Sequence, residues 1–152
     1  MTVPMGFTCM TGQSSHATLA AILPWLRGQV SQQKRFVGTV QDDATILRFV
    51  NSADAPRLAE LGTSCPDHFL RTKVKPMLLD LPADASVEDS IARLGELHQE
   101  YRADYAGYYE RNATPDSPAI RGADPLIILI PGVGMFSYGA NKQTARVAGE
   151  FY

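Results

Sequence analysis

A chain of 152 residues suits one domain and buries about two-thirds of its unfolded surface, enough for a single core without a staple. Its net charge of -2, from 14 Lys+Arg against 16 Asp+Glu, provides no global basic field to attract nucleic acid or an acidic membrane. At 45% hydrophobic and 20% charged it has ordinary globular composition, and no apolar run approaches the roughly 20 residues of a membrane span.

Residues 1–14 are small, polar and aperiodic and are expected to form a flexible lead, with residues 15–152 as a single α/β domain. Leu19, Ile22, Leu23 and Leu26 lie on one helix face, capped by Ser14 or Ser15, with Pro24 bending or ending that helix early. Arg35–Val40 and Thr45–Val50 are β-rich segments split by Gln41-Asp42-Asp43-Ala44, a pattern that predicts an antiparallel hairpin. A short helix follows from 51–56 and stops at Gly62. Lys75–Leu81 is the next predicted strand, with Pro76 at its start, where a missing amide donor is tolerated.

Ser86 opens a capping signal, and Val87, Ile91, Leu94, Leu97, Tyr101, Tyr105 and Tyr108 then recur at steps of three or four along a long helix. Residues 112–124, with Pro115, Pro118 and Gly122, read as a surface loop. Leu126–Ile130 predicts a strand covered on both faces, ended by Pro131. Gly132–Gly139 then reads as a glycine-broken loop, and Asn141 caps a final helix. Strands alternating with helices predict a layered α/β/α sheet of about 4–5 mostly parallel strands with an antiparallel edge hairpin, Rossmann-like in its layering.

The densest set of reactive side chains is Gly62–Lys73. Ser64 as a cap would place Asp67 to close a capping box. Arg71 and Lys73 offer a bidentate guanidinium and a point charge for a phosphate or carboxylate, against the simpler reading of solvated charges. Cys65 could serve as a nucleophile with His68 as its base, but a small buried thiol is the preferred reading. His16, His68 and His98 show no metal-binding spacing, and His98, beside Glu96 and Glu100, reads as solvated or ion-paired. Gly132, Gly134 and Gly139 miss the dinucleotide fingerprint spacing, although loop amides can still hold a phosphate. The tyrosines of the long helix read as packing residues. The expected anion site therefore combines His68, Arg71, Lys73 and the amides of Gly132 and Gly134, with Cys65 and Asp67 as candidate reactive groups and no metal.

Cys9 and Cys65 are too few for a disulfide framework, and the N-terminus lacks the features of a signal peptide, so a cytoplasmic protein is expected. The stretches GTSCPDHFLRTKVKP (Gly62–Pro76) and LIPGVGMFSYGANKQTARVAGEFY (Leu129–Tyr152) resemble the central region of bacterial bifunctional rhamnulose-1-phosphate aldolase/alcohol dehydrogenases. The similarity spans about Trp25 to Tyr152. The resemblance implies a class II aldolase-like fold as the alternative to a Rossmann-like one, and a segment of a longer rhamnose-catabolic enzyme. It also implies zinc bound by a histidine constellation in a flanking aldolase domain, and NAD bound by a short-chain dehydrogenase domain with a Tyr-x-x-x-Lys pair. Neither kit is present here, and Pro131 stands where the related aldolases place a histidine. The segment is thus expected to hold no cofactor and no complete active site, to bind a phosphorylated sugar or other small anion, and to contact the flanking domains. The alternatives are a self-sufficient small Cys/His enzyme and a docking domain whose last helix and tyrosine face meet neighbouring domains or a second copy.

Overall fold

The computed structural model describes residues 12–82 and 84–152. In chain order it contains α1 (Gly12–Val30), β1 (Val37–Gln41), α2 (Ala44–Val50), α3 (Ala55–Glu60), α4 (Pro66–Thr72), β2 (Met77–Leu78), α5 (Val87–Asn112), β3 (Ile127–Ile130), β4 (Gly134–Gly139) and α6 (Lys142–Phe151). Residues 1–11 of the expected lead lie outside the described residues, whereas 12–14 belong to α1. That helix runs to Val30 with Pro24 inside it, because Ile22, Leu26 and Val30 are buried on one side while Pro24 is exposed on another.

The sheet has the order β1-β4-β3-β2, with β4 antiparallel to both neighbours and β2 parallel to β3. The expectation of a mostly parallel sheet is corrected. Its cause is the turn at Pro131-Gly132-Val133, where Gly132 adopts φ 76° and the Val133 amide donates to the Ile130 carbonyl at 3.1 Å. A turn this short returns the chain antiparallel, while a parallel return needs a crossover such as α5, which links β2 to β3.

The predicted hairpin is also corrected. Its first arm is β1, but Thr45–Val50 lies in α2, because the Asp43 carboxylate accepts from the Thr45 and Ile46 amides at 2.8 and 3.2 Å and starts a helix. The strand that pairs with β1 is β4, in the segment expected to be a loop. The predicted strand at 75–81 narrows to Met77–Leu78.

Both faces of the sheet are covered, as the alternation of side chains requires. Ile128, Ile130, Phe136 and Tyr138 pack with Ile22, Leu26 and Val30 of α1 and Leu94 and Tyr101 of α5. On the other face Ile127, Leu129 and Met135 pack with Val50 of α2, Ala59 of α3 and Ala148 of α6. The result is a mixed α/β layered domain. No helix among the described residues is long and apolar enough to cross a membrane.

Candidate functional site

The segment carrying most of the predicted site is an excursion closed on itself. Gly62 at φ 73° turns the chain after α3, and the Thr63 amide donates to the Val74 carbonyl at 3.0 Å. A Cβ at Gly62 would lie 2.3 Å from that carbonyl oxygen, so glycine is what permits the closure. Between these ends stands α4. Its N-cap position is filled by Cys65 in extended conformation, with no side-chain cap bond, so Ser64 and Asp67 do not form the expected box. Asp67 is exposed in the first turn. Cys65 is exposed too, which overturns the buried-thiol reading, and among the described residues no hydrogen bond joins it to His68.

His68 and Arg71 converge on one ring. The His68 imidazole meets Phe151 edge-on at 5.4 Å, and the Arg71 guanidinium carbon lies 5.9 Å from the centre of the same ring. Lys73 takes another direction from its left-handed position at φ 65°: its Nζ donates to the Gly122 carbonyl at 2.8 Å and sits 4.2 Å from the Tyr105 ring centre. Burial lowers its pKa to about 8, the Asp124 carboxylate opposing that shift and Arg102 adding to it. The Gly132 amide donates to the Asn51 side-chain oxygen at 2.7 Å. Gly134 lies opposite Ile130 in the ladder with φ 135°, where a Cβ would come within 2.4 Å of the Gln41 carbonyl oxygen. The fold thus gathers His68 and Arg71 at the α4–α6 contact, sends Lys73 to α5, and gives the two glycines structural tasks in the β3–β4 turn.

A second polar cluster lies around Asp124, just before β3. His98 is 1% exposed and its Nε2 lies 2.9 Å from an Asp124 carboxylate oxygen, which Arg102 also reaches. A carboxylate accepts, so Nε2 carries the hydrogen, and the buried Nδ1 has no partner among the described residues. Burial raises the Asp124 pKa, but the hydrogen bonds from His98 and Arg102 outweigh it and hold the carboxyl below its ordinary value. The sequence carried a trace of this. His98 falls four residues after Leu94 and three before Tyr101, on the buried stripe of α5 rather than with Glu96 and Glu100. Its acceptor, 26 residues away, had no local signal.

Two cavities open among the described residues. One, of about 200 Å³, runs along α5 past Lys75, Tyr101, Asp104, Tyr105, Tyr108 and Arg111. The other, of about 290 Å³, is an apolar groove between α2, α3 and the sheet, lined by Ile46, Phe49, Leu58, Leu129, Met135 and Tyr152.

Neither implied cofactor fits these residues. His16, His68 and His98 lie on α1, α4 and α5, and among the described residues no three His, Cys, Asp or Glu side chains gather as metal ligands do. The glycine-rich segment is strand β4, buried along its length and hydrogen-bonded on both edges, so it is not a dinucleotide cradle.

Residues 17–152 match the family described as aldolase class II, second domain. The chain is also 36% identical over 135 residues to a Bacillus subtilis (strain 168) protein named Uncharacterized oxidoreductase YuxG, covering 88% of this chain. The chain spans 19% of that relative's length. No solved structure matches it. With almost the whole domain matched, the chain belongs to the family of class II aldolase second domains.

Proposed function

We propose that this chain is a domain of a larger cytoplasmic enzyme of sugar catabolism, one that joins aldolase and dehydrogenase activities on a single polypeptide. The observation carrying this reading is the pairing of a second-domain aldolase match with a relative named as an oxidoreductase, of which the chain spans 19%. The resemblance of Gly62–Pro76 and Leu129–Tyr152 narrows the reactions. Rhamnulose 1-phosphate is cleaved by retro-aldol reaction to dihydroxyacetone phosphate and lactaldehyde, and the aldehyde then exchanges a hydride with a nicotinamide cofactor. In this reading the domain performs no bond-breaking step. His68 and Arg71, side by side at Phe151, are its contribution to holding the sugar phosphate's anionic end.

The test is the coding sequence around this segment. The reading predicts an open frame with a histidine constellation upstream and a glycine fingerprint with Tyr-x-x-x-Lys downstream. A frame without a dehydrogenase would sink the bifunctional enzyme. Calorimetry of the chain with dihydroxyacetone phosphate addresses the anion contact: binding weakened by Arg71→Ala supports it, and binding indifferent to that substitution removes it.

A docking role is favoured by a separate observation. Leu58, Leu61 and Leu70 are 37%, 71% and 75% exposed, and Leu58 also lines the apolar groove. Such exposure of large apolar side chains fits a surface covered by neighbouring domains. Sedimentation of the isolated chain separates this from self-association: a monomer at high concentration leaves the flanking domains as the cover, and a dimer assigns the face to a second copy.

A further inference from the structure

The groove along α5 sets a row of tyrosines beside charged side chains. Its aromatic wall is fixed in place. Tyr101 is stacked with Tyr105, the planes 4° apart and the centres 6.5 Å apart, and Tyr108 continues the row at 6.3 Å. The Tyr101 hydroxyl is anchored by donating to the Lys75 carbonyl at 2.8 Å. At one end Lys75 Nζ is shared between Glu60 at 2.9 Å and Asp104 at 3.1 Å, so these charges answer one another.

Arg111 is different. It lines the groove, yet among the described residues it makes no hydrogen bond or ion pair. Its guanidinium folds back over Gly107, where a Cβ would stand 3.1 Å from its Nη1. An unanswered guanidinium beside a row of tyrosines suits a ligand with a negative head on a ring, since guanidinium binds carboxylate and phosphate in a fork and tyrosine faces take flat or C–H surfaces.

We propose that this groove binds a small ring-bearing anion, its carboxylate or phosphate on Arg111 and its ring against Tyr108. The site is separate from the His68–Arg71 contact, and the proposal is independent of the parent enzyme's reaction. Glu60 and Asp104 line the same cavity, and carboxylates bonded to Lys75 keep acceptor capacity for hydroxyls on the ring.

Calorimetry on the full chain tests this with phenyl phosphate, a pyranose 1-phosphate and inorganic phosphate as probes. One or both ring esters should bind more tightly than inorganic phosphate. A preference for the pyranose ester assigns a hydroxylated ring, and a preference for the phenyl ester an aromatic one. Arg111→Gln, a change at an exposed and unpaired residue, should weaken the better ester by about tenfold, as loss of a charge-assisted contact does. Tyr108→Leu should weaken the ring esters and leave inorganic phosphate unchanged. Equal affinity for ester and inorganic phosphate, indifference to Arg111→Gln, or no binding at millimolar concentration each overturns the proposal.

Discussion

Lys73 shows how one side chain can be held between opposing influences. Burial and the nearby Arg102 charge disfavour its ammonium, while the Asp124 carboxylate favours it, and the pKa settles at about 8 against an ordinary 10.5. Below about 8 both folded and unfolded chains carry the proton, and the cost of burying the charge is present in full. Between about 8 and 10.5 the folded chain loses the proton first, so the unfolded chain binds more protons and stability from this group rises with pH. Denaturant titrations from pH 7 to 10 should show that rise, and Lys73→Met should flatten it. Tyr152 acts oppositely at higher pH. Burial pushes its hydroxyl up to about 12, so above pH 10 the folded chain retains a proton that the unfolded chain loses, and that contribution declines.

Asp124 shifts in the same direction as Lys73, so its contribution also rises with pH, but in the acid range. Its carboxyl is held below the ordinary value, so its stabilisation is present above the unfolded carboxylate pKa and is lost as pH falls through the folded one. Asp124→Asn should cost about 3 kcal/mol in a denaturant titration, because it removes the negative charge that answers Arg102 and leaves a single amide oxygen where a carboxylate accepted from both Arg102 and the buried His98. Cys65, exposed and unbonded to His68, should alkylate at the rate of an ordinary accessible thiol. Markedly faster labelling would revive the nucleophile reading.

Among the elements, the sequence was legible where periodicity and capping coincided. Ser86 and the three- and four-residue steps after it mark α5, Asn141 marks α6 through its bond from the Thr144 amide at 2.9 Å, and Gly62 marks the end of the α3 region. Two elements were misread for physical reasons. Thr45–Val50 has β-branched and aromatic composition, but the Asp43 cap and the burial of Val50 against the sheet select a helix. Gly134 and Gly139 resembled loop punctuation, yet they bound a strand. Each permits a close approach, a Cβ at Gly139 lying 2.5 Å from the Ala145 amide nitrogen of α6.

The same crowding fixes α6 on the sheet. A Cβ at Gly149 would lie 2.3 Å from the Gln41 side-chain oxygen and 2.8 Å from the Ser137 hydroxyl, so Gly149→Ala must displace the helix or break the Ser137–Thr39 hydrogen bond. A loss of about 2 kcal/mol and a lowered melting temperature are expected. On the opposite face Leu94, 0% exposed between α5, α1 and the sheet, should lose about 2–5 kcal/mol as Leu94→Ala through the cavity left behind.

At the scale of the whole molecule, the layered α/β architecture was legible but its strand directions were not. Side-chain alternation reports that a strand has two covered faces, and it is silent about the partner's direction. Direction here follows from a three-residue connection at Pro131–Val133, whose glycine was visible while the strand beyond it was read as loop. The candidate site divided for a related reason. His68, Arg71 and Lys73 are close in sequence, but the end of α4 turns Lys73 towards α5, while the other two stay at Phe151. In the proposed reading, the leucines exposed on α3 and α4 are the surface that the rest of a larger enzyme covers.

Turnover by the intact polypeptide that carries this domain is the most direct measurement of that account. Supplied with rhamnulose 1-phosphate and a nicotinamide cofactor, it should release dihydroxyacetone phosphate and change nicotinamide absorbance as lactaldehyde is consumed. Release of neither triose phosphate nor any nicotinamide signal would contradict the account.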